Sequence, residues 1–329
     1  MTQPLLEVKN LTTRFRTERG ELTAVDDVSF SVAAGQTLAI VGESGSGKSV
    51  TAMSLMRLIP NPPGRITNGQ ILFEGKDLVK ASDAEMRSIR GNRIAMIFQE
   101  PMSSLNPALT VGLQIAEPVN EHRKMPWKEA FEVAKGLLGK VRIPDAASRL
   151  QTWPHQYSGG MRQRTMIAMA LACQPKLIIA DEPTTALDVT VQAQILDLLK
   201  ELTHETGAAL ILITHDLGVV ARYADHVAVM YGGRIVEQAA AAELYAHPRH
   251  PYTRGLLASI PRLDSPAGQR LVPISGQPPD LARLPAGCAF APRCQHADAT
   301  CLSTRPVLRE LIPGHLGACH HDEKVDALV

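Results

Sequence analysis

One eight-residue stretch constrains the fold of this chain more than any other. Gly42-Glu-Ser-Gly-Ser-Gly-Lys-Ser49 follows the apolar run Thr37-Leu-Ala-Ile-Val41, and a helix is predicted from Lys48 to Leu58. The helix should stop before Pro60-Asn-Pro-Pro-Gly64, because proline cannot continue it. A strand that turns through glycines into a helix presents backbone N–H groups and a partial positive charge to an anion. The pattern G-x-x-x-x-G-K-[ST] in that context predicts a polyphosphate cradle. Gly42, Glu43, Ser44, Gly45, Ser46, Gly47 and Val50 form it, Lys48 should reach the β and γ phosphates, and Ser49 should ligate Mg²⁺.

The surrounding pattern predicts an α/β domain with a mostly parallel sheet at its core. Ile94-Ala-Met-Ile-Phe98, Leu177-Ile-Ile-Ala180, Leu210-Ile-Leu-Ile213 and Val227-Ala-Val-Met230 are continuous apolar runs, as suits strands buried on both faces. After Asp188, Ile195, Leu198, Leu199 and Leu202 follow helical spacing. Lys plus Arg is 34 and Asp plus Glu is 33, so the net charge of +1 gives no global drive towards nucleic acid or anionic membrane. The longest strongly apolar stretch, Ala208–Ile213, is far short of the roughly 20 residues that span a bilayer. The first residues lack the basic start and apolar core of a secretory signal, so a cytosolic setting is expected.

The chain changes character near residue 245. Residues 1–245 read as the nucleotide-binding domain. Residues 246–329 read as an irregular C-terminal extension, and the stretch from 248 holds 11 of the 23 prolines. Within the first part, Leu177-Ile-Ile-Ala-Asp-Glu182 is an apolar strand ending in two acids. Asp181 is placed to hold Mg²⁺ through water, and Glu182 to act as general base on an attacking water. In a parallel sheet the strand ends converge on one crevice, which places His215 and Gln99 as further candidates.

These residues, taken with Tyr157-Ser-Gly-Gly-Met-Arg-Gln-Arg164, resemble the ABC ATPases over residues 5 to about 240. The resemblance assigns Ser158, Gly159, Gly160 and Gln163 to a signature that meets the nucleotide of a partner subunit. It makes Gln99 the Q-loop and a further Mg²⁺ contact, Ala186-Leu-Asp188 the D-loop, His215 the switch histidine and Phe15 the ring that stacks on adenine. Tyr157 and Met161 depart from the usual Leu and Gln of the signature. Glu100-Pro-Met-Ser-Ser-Leu-Asn-Pro107, Asp181–Val189 and His247-Pro-Arg-His-Pro-Tyr-Thr253 are similar to the peptide-importer branch, in particular to the D-type subunits of dipeptide permeases. Oligopeptide and nickel permease subunits are near relatives.

The resemblance implies ATP hydrolysis that powers import of dipeptides or oligopeptides, with nickel or glutathione import as the alternative. The implied partners are a second ABC ATPase subunit, more readily a distinct one than a copy, two membrane permease subunits and, indirectly, a substrate-binding protein. The implied place is the cytoplasmic face of the inner membrane, and no nucleic acid is involved. The resemblance also implies that the segment at about 100–160 forms a helical subdomain that touches the permease, with 100–107 as the candidate contact. A soluble ABC protein of translation would carry two cassettes in a longer chain, and one of DNA repair a long coiled coil.

Four of the five cysteines, Cys288, Cys294, Cys301 and Cys319, lie in the extension as C-x₅-C-x₆-C-x₁₇-C. Cys173 lies apart and reads as a core thiol. Structural disulfides are not expected in the cytosol, and a segment with little core suits a metal staple. Four thiolates suit tetrahedral zinc or an iron–sulfur cluster, and the gaps are wider than the pairs common in zinc sites. The resemblance points to [4Fe–4S]; zinc, with His320 or His296 as substitute ligands, is the alternative.

Overall fold

The computed structural model describes residues 3–18, 20–185, 187–260 and 273–323. Ala186, named above with the D-loop, lies outside the described residues. The chain divides into two compact units. One is built from the chain up to Val32, from Thr37–Val79 and from Thr214 onwards; the other from Ala33–Gln36 and Lys80–Ile213.

The first unit holds two sheets. Strands Gly20–Val32, Leu6–Thr17, Gly64–Phe73 and Lys76–Asp77 form an antiparallel sheet in that order. Its register breaks repeatedly along Leu6–Thr17, where Asn10 takes a φ of 50°. The second set runs Arg309–Ile312, His315–Gly317, Arg234–Ala240, His226–Tyr231, Thr37–Val41. Only Thr37–Val41 and His226–Tyr231 pair in parallel. The remaining pairs are antiparallel. The unit is therefore mixed rather than mostly parallel. Tight connections such as Thr17 to Gly20 and Tyr231 to Arg234 leave no room for the crossover that parallel neighbours need.

Thr37–Val41 is buried at all five positions, as its unbroken apolar run requires. The helix after the glycine-rich turn is Lys48–Leu55, shorter than predicted. It ends before the prolines because Arg57 adopts a left-handed φ of 49° and the Leu58 N–H bonds back to the Met53 carbonyl.

Residues after 246 contribute short elements: helices Pro251–Ala258 and Ala299–Ser303, three-residue turns Leu281–Arg283 and Ala291–Arg293, and the strands from Arg309 and His315. They do not stand apart from the sheet. Tyr252 and Phe290 pack into one apolar cluster with Ala39, Val41, Val227, Val229 and Tyr231. The Tyr231 and Tyr252 rings lie 4.5 Å apart, and Phe290 stands edge-on to Tyr231 at 5.2 Å. Glu237, fully buried on the sheet, anchors the same region. Its carboxylate accepts from the backbone N–H groups of Arg249 and His250 and lies 2.8 Å from His315 Nε2. A buried carboxylate persists only when paired in this way.

The second unit holds the parallel strands Ile94–Ile97, Leu177–Asp181 and Ala209–Thr214, with Leu177–Asp181 in the middle. Helices Pro101–Ser104, Val111–Arg123, Trp127–Lys140, Ala146–Arg149 and Gly159–Leu171 lie between the first two strands in sequence. Helix Val189–Thr206 buries Ile195, Leu198, Leu199 and Leu202, the stripe its spacing predicts. Cys173 is buried, with Sγ 3.3 Å from the Pro118 carbonyl, and burial pushes its thiol pKa up. Among the described residues no helix is long and apolar enough to cross a membrane.

Candidate nucleotide site

In the first unit the turn from Thr37–Val41 into helix Lys48–Leu55 is a glycine-rich loop with Gly42, Gly45 and Gly47 at φ values of +153°, +79° and +102°. At Gly42 a Cβ would lie 2.2 Å from the Met230 carbonyl oxygen, so only glycine lets the loop leave the strand here. Lys48 is almost fully buried, and its Nζ donates to the carbonyls of Gly42 at 2.7 Å and Glu43 at 2.9 Å. The ammonium is thus folded back over the loop. Ser46 Oγ is buried inside it without a hydrogen-bond partner. The helix N-terminus has no side-chain cap, and a helix start of this kind attracts an anion through its partial positive charge. Ser49 and Val50 follow on the first turn, partly buried, and Ser44 and Gly45 are exposed.

The loop is also held from outside. The backbone N–H of Glu43 donates to Tyr252 Oη at 2.8 Å. Tyr252 is fully buried on helix Pro251–Ala258, which His250 caps by accepting from the Tyr252 N–H. The motif His250-Pro251-Tyr252 thus has a physical task that its sequence does not declare. Phe15 is partly buried on Leu6–Thr17, opposite Gly64, where a Cβ would lie 2.6 Å from the ring. His215 is exposed, just ahead of helix Leu217–Tyr223, which Asp216 caps.

In the second unit Asp181 ends its strand almost buried, and Glu182 follows at a left-handed φ of 45°. The Glu182 carboxylate is held by two donors on one oxygen: Gln99 Nε2 at 2.9 Å and Thr185 Oγ1 at 3.0 Å. The structure therefore joins Gln99 to Glu182, which lie 83 residues apart. Thr185 was not singled out by the sequence; a threonine in a loop carries no pattern of its own.

Ser158 caps helix Gly159–Leu171 by accepting from the Met161 N–H. Ser158 and Gly159 are exposed and Gly160 is half-buried against Val191. Gln163 differs from them: it is 1% exposed, with Nε2 buried and without a hydrogen-bond partner. Tyr157 fills a packing position, its hydroxyl donating to the Arg149 carbonyl at 3.0 Å. Asp188 caps helix Val189–Thr206 through the Val191 N–H.

The four C-terminal cysteines line one small cavity of the first unit together with His250, His296, His320 and His321. Burial pushes the thiols of Cys288 and Cys294 up, and that of Cys319 up to about 12. Backbone N–H groups of His296 and His321 donate to the sulfurs of Cys294 and Cys319. His320 Nε2 is engaged with the Thr304 carbonyl. Among the described residues, the one trio of candidate ligand atoms within 4.8 Å of one another is Asp298, Cys301 and His321. In that trio His321 Nε2 already lies 2.9 Å from the Asp298 carboxylate.

The ABC transporter family matches residues 25–185, and the family described as oligopeptide/dipeptide transporter, C-terminal region, matches residues 236–301. The chain is 54% identical over 299 residues to the dipeptide transport ATP-binding protein DppD of Bacillus subtilis, covering 91% of this chain and 89% of that one. It is 52% identical over 315 residues to the oligopeptide transport ATP-binding protein OppD of Escherichia coli, covering 96% and 92%. A solved dimeric ATP-binding cassette in a post-hydrolysis state, bound to ADP and phosphate, matches with a TM-score of 0.65 at 28% identity, over 72% of this chain and 98% of that one. A phosphate loop with this geometry, joined to these relatives over most of the chain, means that the protein belongs to the ABC transporter ATP-binding family and carries the C-terminal region of its oligopeptide and dipeptide transporters.

Proposed function

We propose that this protein hydrolyses ATP to ADP and phosphate and so powers the import of dipeptides or oligopeptides through a multi-subunit transporter. The observation that carries the reading is the phosphate loop, with its left-handed glycines, folded-back Lys48 and uncapped helix start. Two relatives whose names state dipeptide and oligopeptide transport, each more than 50% identical, supply the solute class. Nickel and glutathione are the alternatives.

In this reading Gly42–Val50 bind the phosphates and Phe15 the adenine. Ser49, Gln99 and Asp181 hold Mg²⁺, which when bound neutralises charge on the phosphate oxygens. Glu182 takes the proton of the attacking water, Gln99 and Thr185 fix its carboxylate, and His215 stabilises the reacting γ-phosphate. Ser158, Gly159 and Gly160 serve the nucleotide of a partner ATPase, a distinct subunit rather than a copy, with Asp188 in the adjoining loop. Gln163 is too buried to join them without repacking. Two permease subunits and a substrate-binding protein complete the assembly, at the cytoplasmic face of the inner membrane. The Cys-containing region after 246 belongs to the subunit as an extension of its nucleotide-binding domain.

The same region is proposed to hold a [4Fe–4S] cluster on Cys288, Cys294, Cys301 and Cys319. The four cysteines line one cavity, and their sequence gaps are wider than the pairs common in zinc sites, which supports the larger cluster. Zinc remains the alternative.

The test of the transport reading is reconstitution. ATPase activity should be low for the isolated chain and rise when the second ATPase, the permeases and a peptide-loaded binding protein are added. Full activity of the isolated chain would contradict the shared site. Stimulation by nickel-loaded but not peptide-loaded binding protein would overturn the solute.

A further inference from the structure

Glu43 is an acid in a loop built for anions, and something must offset it. Its carboxylate is gripped by Arg293, 250 residues away: Nη1 donates to Oε2 at 2.6 Å and Nη2 to Oε1 at 3.0 Å. The pair is bidentate, and the arginine side chain is only 5% exposed. The remaining guanidinium donors are also placed. Nε donates to the Ser275 carbonyl at 2.9 Å, and the cation lies 5.9 Å from the ring centres of both Tyr231 and Phe290. Arg293 therefore has one position, and Glu43 is fixed at three points: side chain to Arg293, N–H to Tyr252, carbonyl to Lys48.

The segment that carries Arg293 is bracketed by two of the cysteines. The turn Ala291–Arg293 closes with the Ala291 N–H on the Cys288 carbonyl and the Cys294 N–H on the Ala291 carbonyl. The Cys288 N–H in turn bonds to the Cys301 carbonyl at 2.8 Å. A change in how the cysteines are held thus reaches the arginine through one turn of backbone.

We propose that Arg293 is a positioning residue of the phosphate loop: it neutralises and orients Glu43, and through it the cysteine-lined segment sets nucleotide affinity. Without Arg293 the Glu43 carboxylate is an unpaired negative charge beside the phosphates and is free to turn towards them. The second half of the proposal rests on the reading of the four cysteines as one site.

The experiment is titration of the full-length chain with a fluorescent ATP analogue, with thermal unfolding as the check on folding. Arg293→Ala should weaken binding about tenfold, within the range usual for coupled sites. Glu43→Gln added to it should recover much of that loss, because the repelling charge is gone. Arg293→Lys, which keeps the charge but not the fork, should fall between wild type and Arg293→Ala, and serves alone if the alanine variant does not fold. Cys294→Ser should weaken binding without adding to the loss in Arg293→Ala. Unchanged affinity in both Arg293 variants, or no recovery on adding Glu43→Gln, overturns the positioning role. Unchanged affinity in Cys294→Ser overturns the link to the cysteines. Iron and zinc content is measured separately, so a metal-free protein refutes the cluster and leaves the Arg293 result standing.

Discussion

Glu182→Gln is the sharpest probe of the catalytic assignment. One carboxylate oxygen accepts from both Gln99 Nε2 and Thr185 Oγ1, at 2.9 and 3.0 Å. The amide oxygen of glutamine can take both bonds, so the side chain should stay in place, and the backbone φ of 45° at Glu182 asks no more of glutamine than of glutamate. The NH₂ group then replaces the second carboxylate oxygen, so the side chain loses its basic carboxylate. An amide cannot accept the proton of the attacking water. Loss of a general base costs about 10²- to 10⁴-fold in rate, which is about 3 to 5 kcal/mol of barrier at 1.36 kcal/mol per decade. Single-turnover hydrolysis in the assembled transporter, beside ATP titration, reads both quantities. The expected result is a rate at least a hundredfold lower with ATP affinity within a factor of about three of wild type. A near-normal rate would place the base elsewhere, and loss of ATP binding would make Glu182 a structural residue.

Lys48→Ala removes a buried cation that bonds the Gly42 and Glu43 carbonyls; with charged hydrogen bonds worth about 1.5–3 kcal/mol, ATP affinity should fall about ten- to hundredfold in the same titration. His215→Ala should slow hydrolysis while leaving affinity in place, because His215 is exposed and holds up no core; a parallel fall in both would make it structural. Gly64→Ala puts a methyl 2.4 Å from Ile59 Cγ2 and 2.6 Å from Phe15 Cε1, so thermal unfolding should show a loss of about 1–3 kcal/mol, as for overpacking, and adenine binding should weaken as the ring moves. Anaerobic purification should yield a coloured protein containing iron and sulfide. A colourless protein with one zinc would replace the cluster, and a metal-free one that stays equally stable without its four cysteines would remove both.

Much of the site was legible because it is written in local patterns. A strand, three glycines, a lysine and a helix are consecutive at 37–55, and their conformations follow from sterics and hydrogen bonding within a few residues. The buried parallel strands announced themselves as unbroken apolar runs, and helix Val189–Thr206 by its stripe. The antiparallel sheet of Leu6–Thr17 was not legible, since its bulges break the alternation that marks a strand with one buried face. Nor did the wealth of proline after 248 disclose that Tyr252 and Phe290 complete the core beneath the phosphate loop. The grip of Arg293 and Tyr252 on Glu43 was decided by tertiary structure alone. Those contacts span more than 200 residues and rest on single polar side chains, which carry no periodicity. Only the chain path that brings the C-terminal region against the sheet selects those partners.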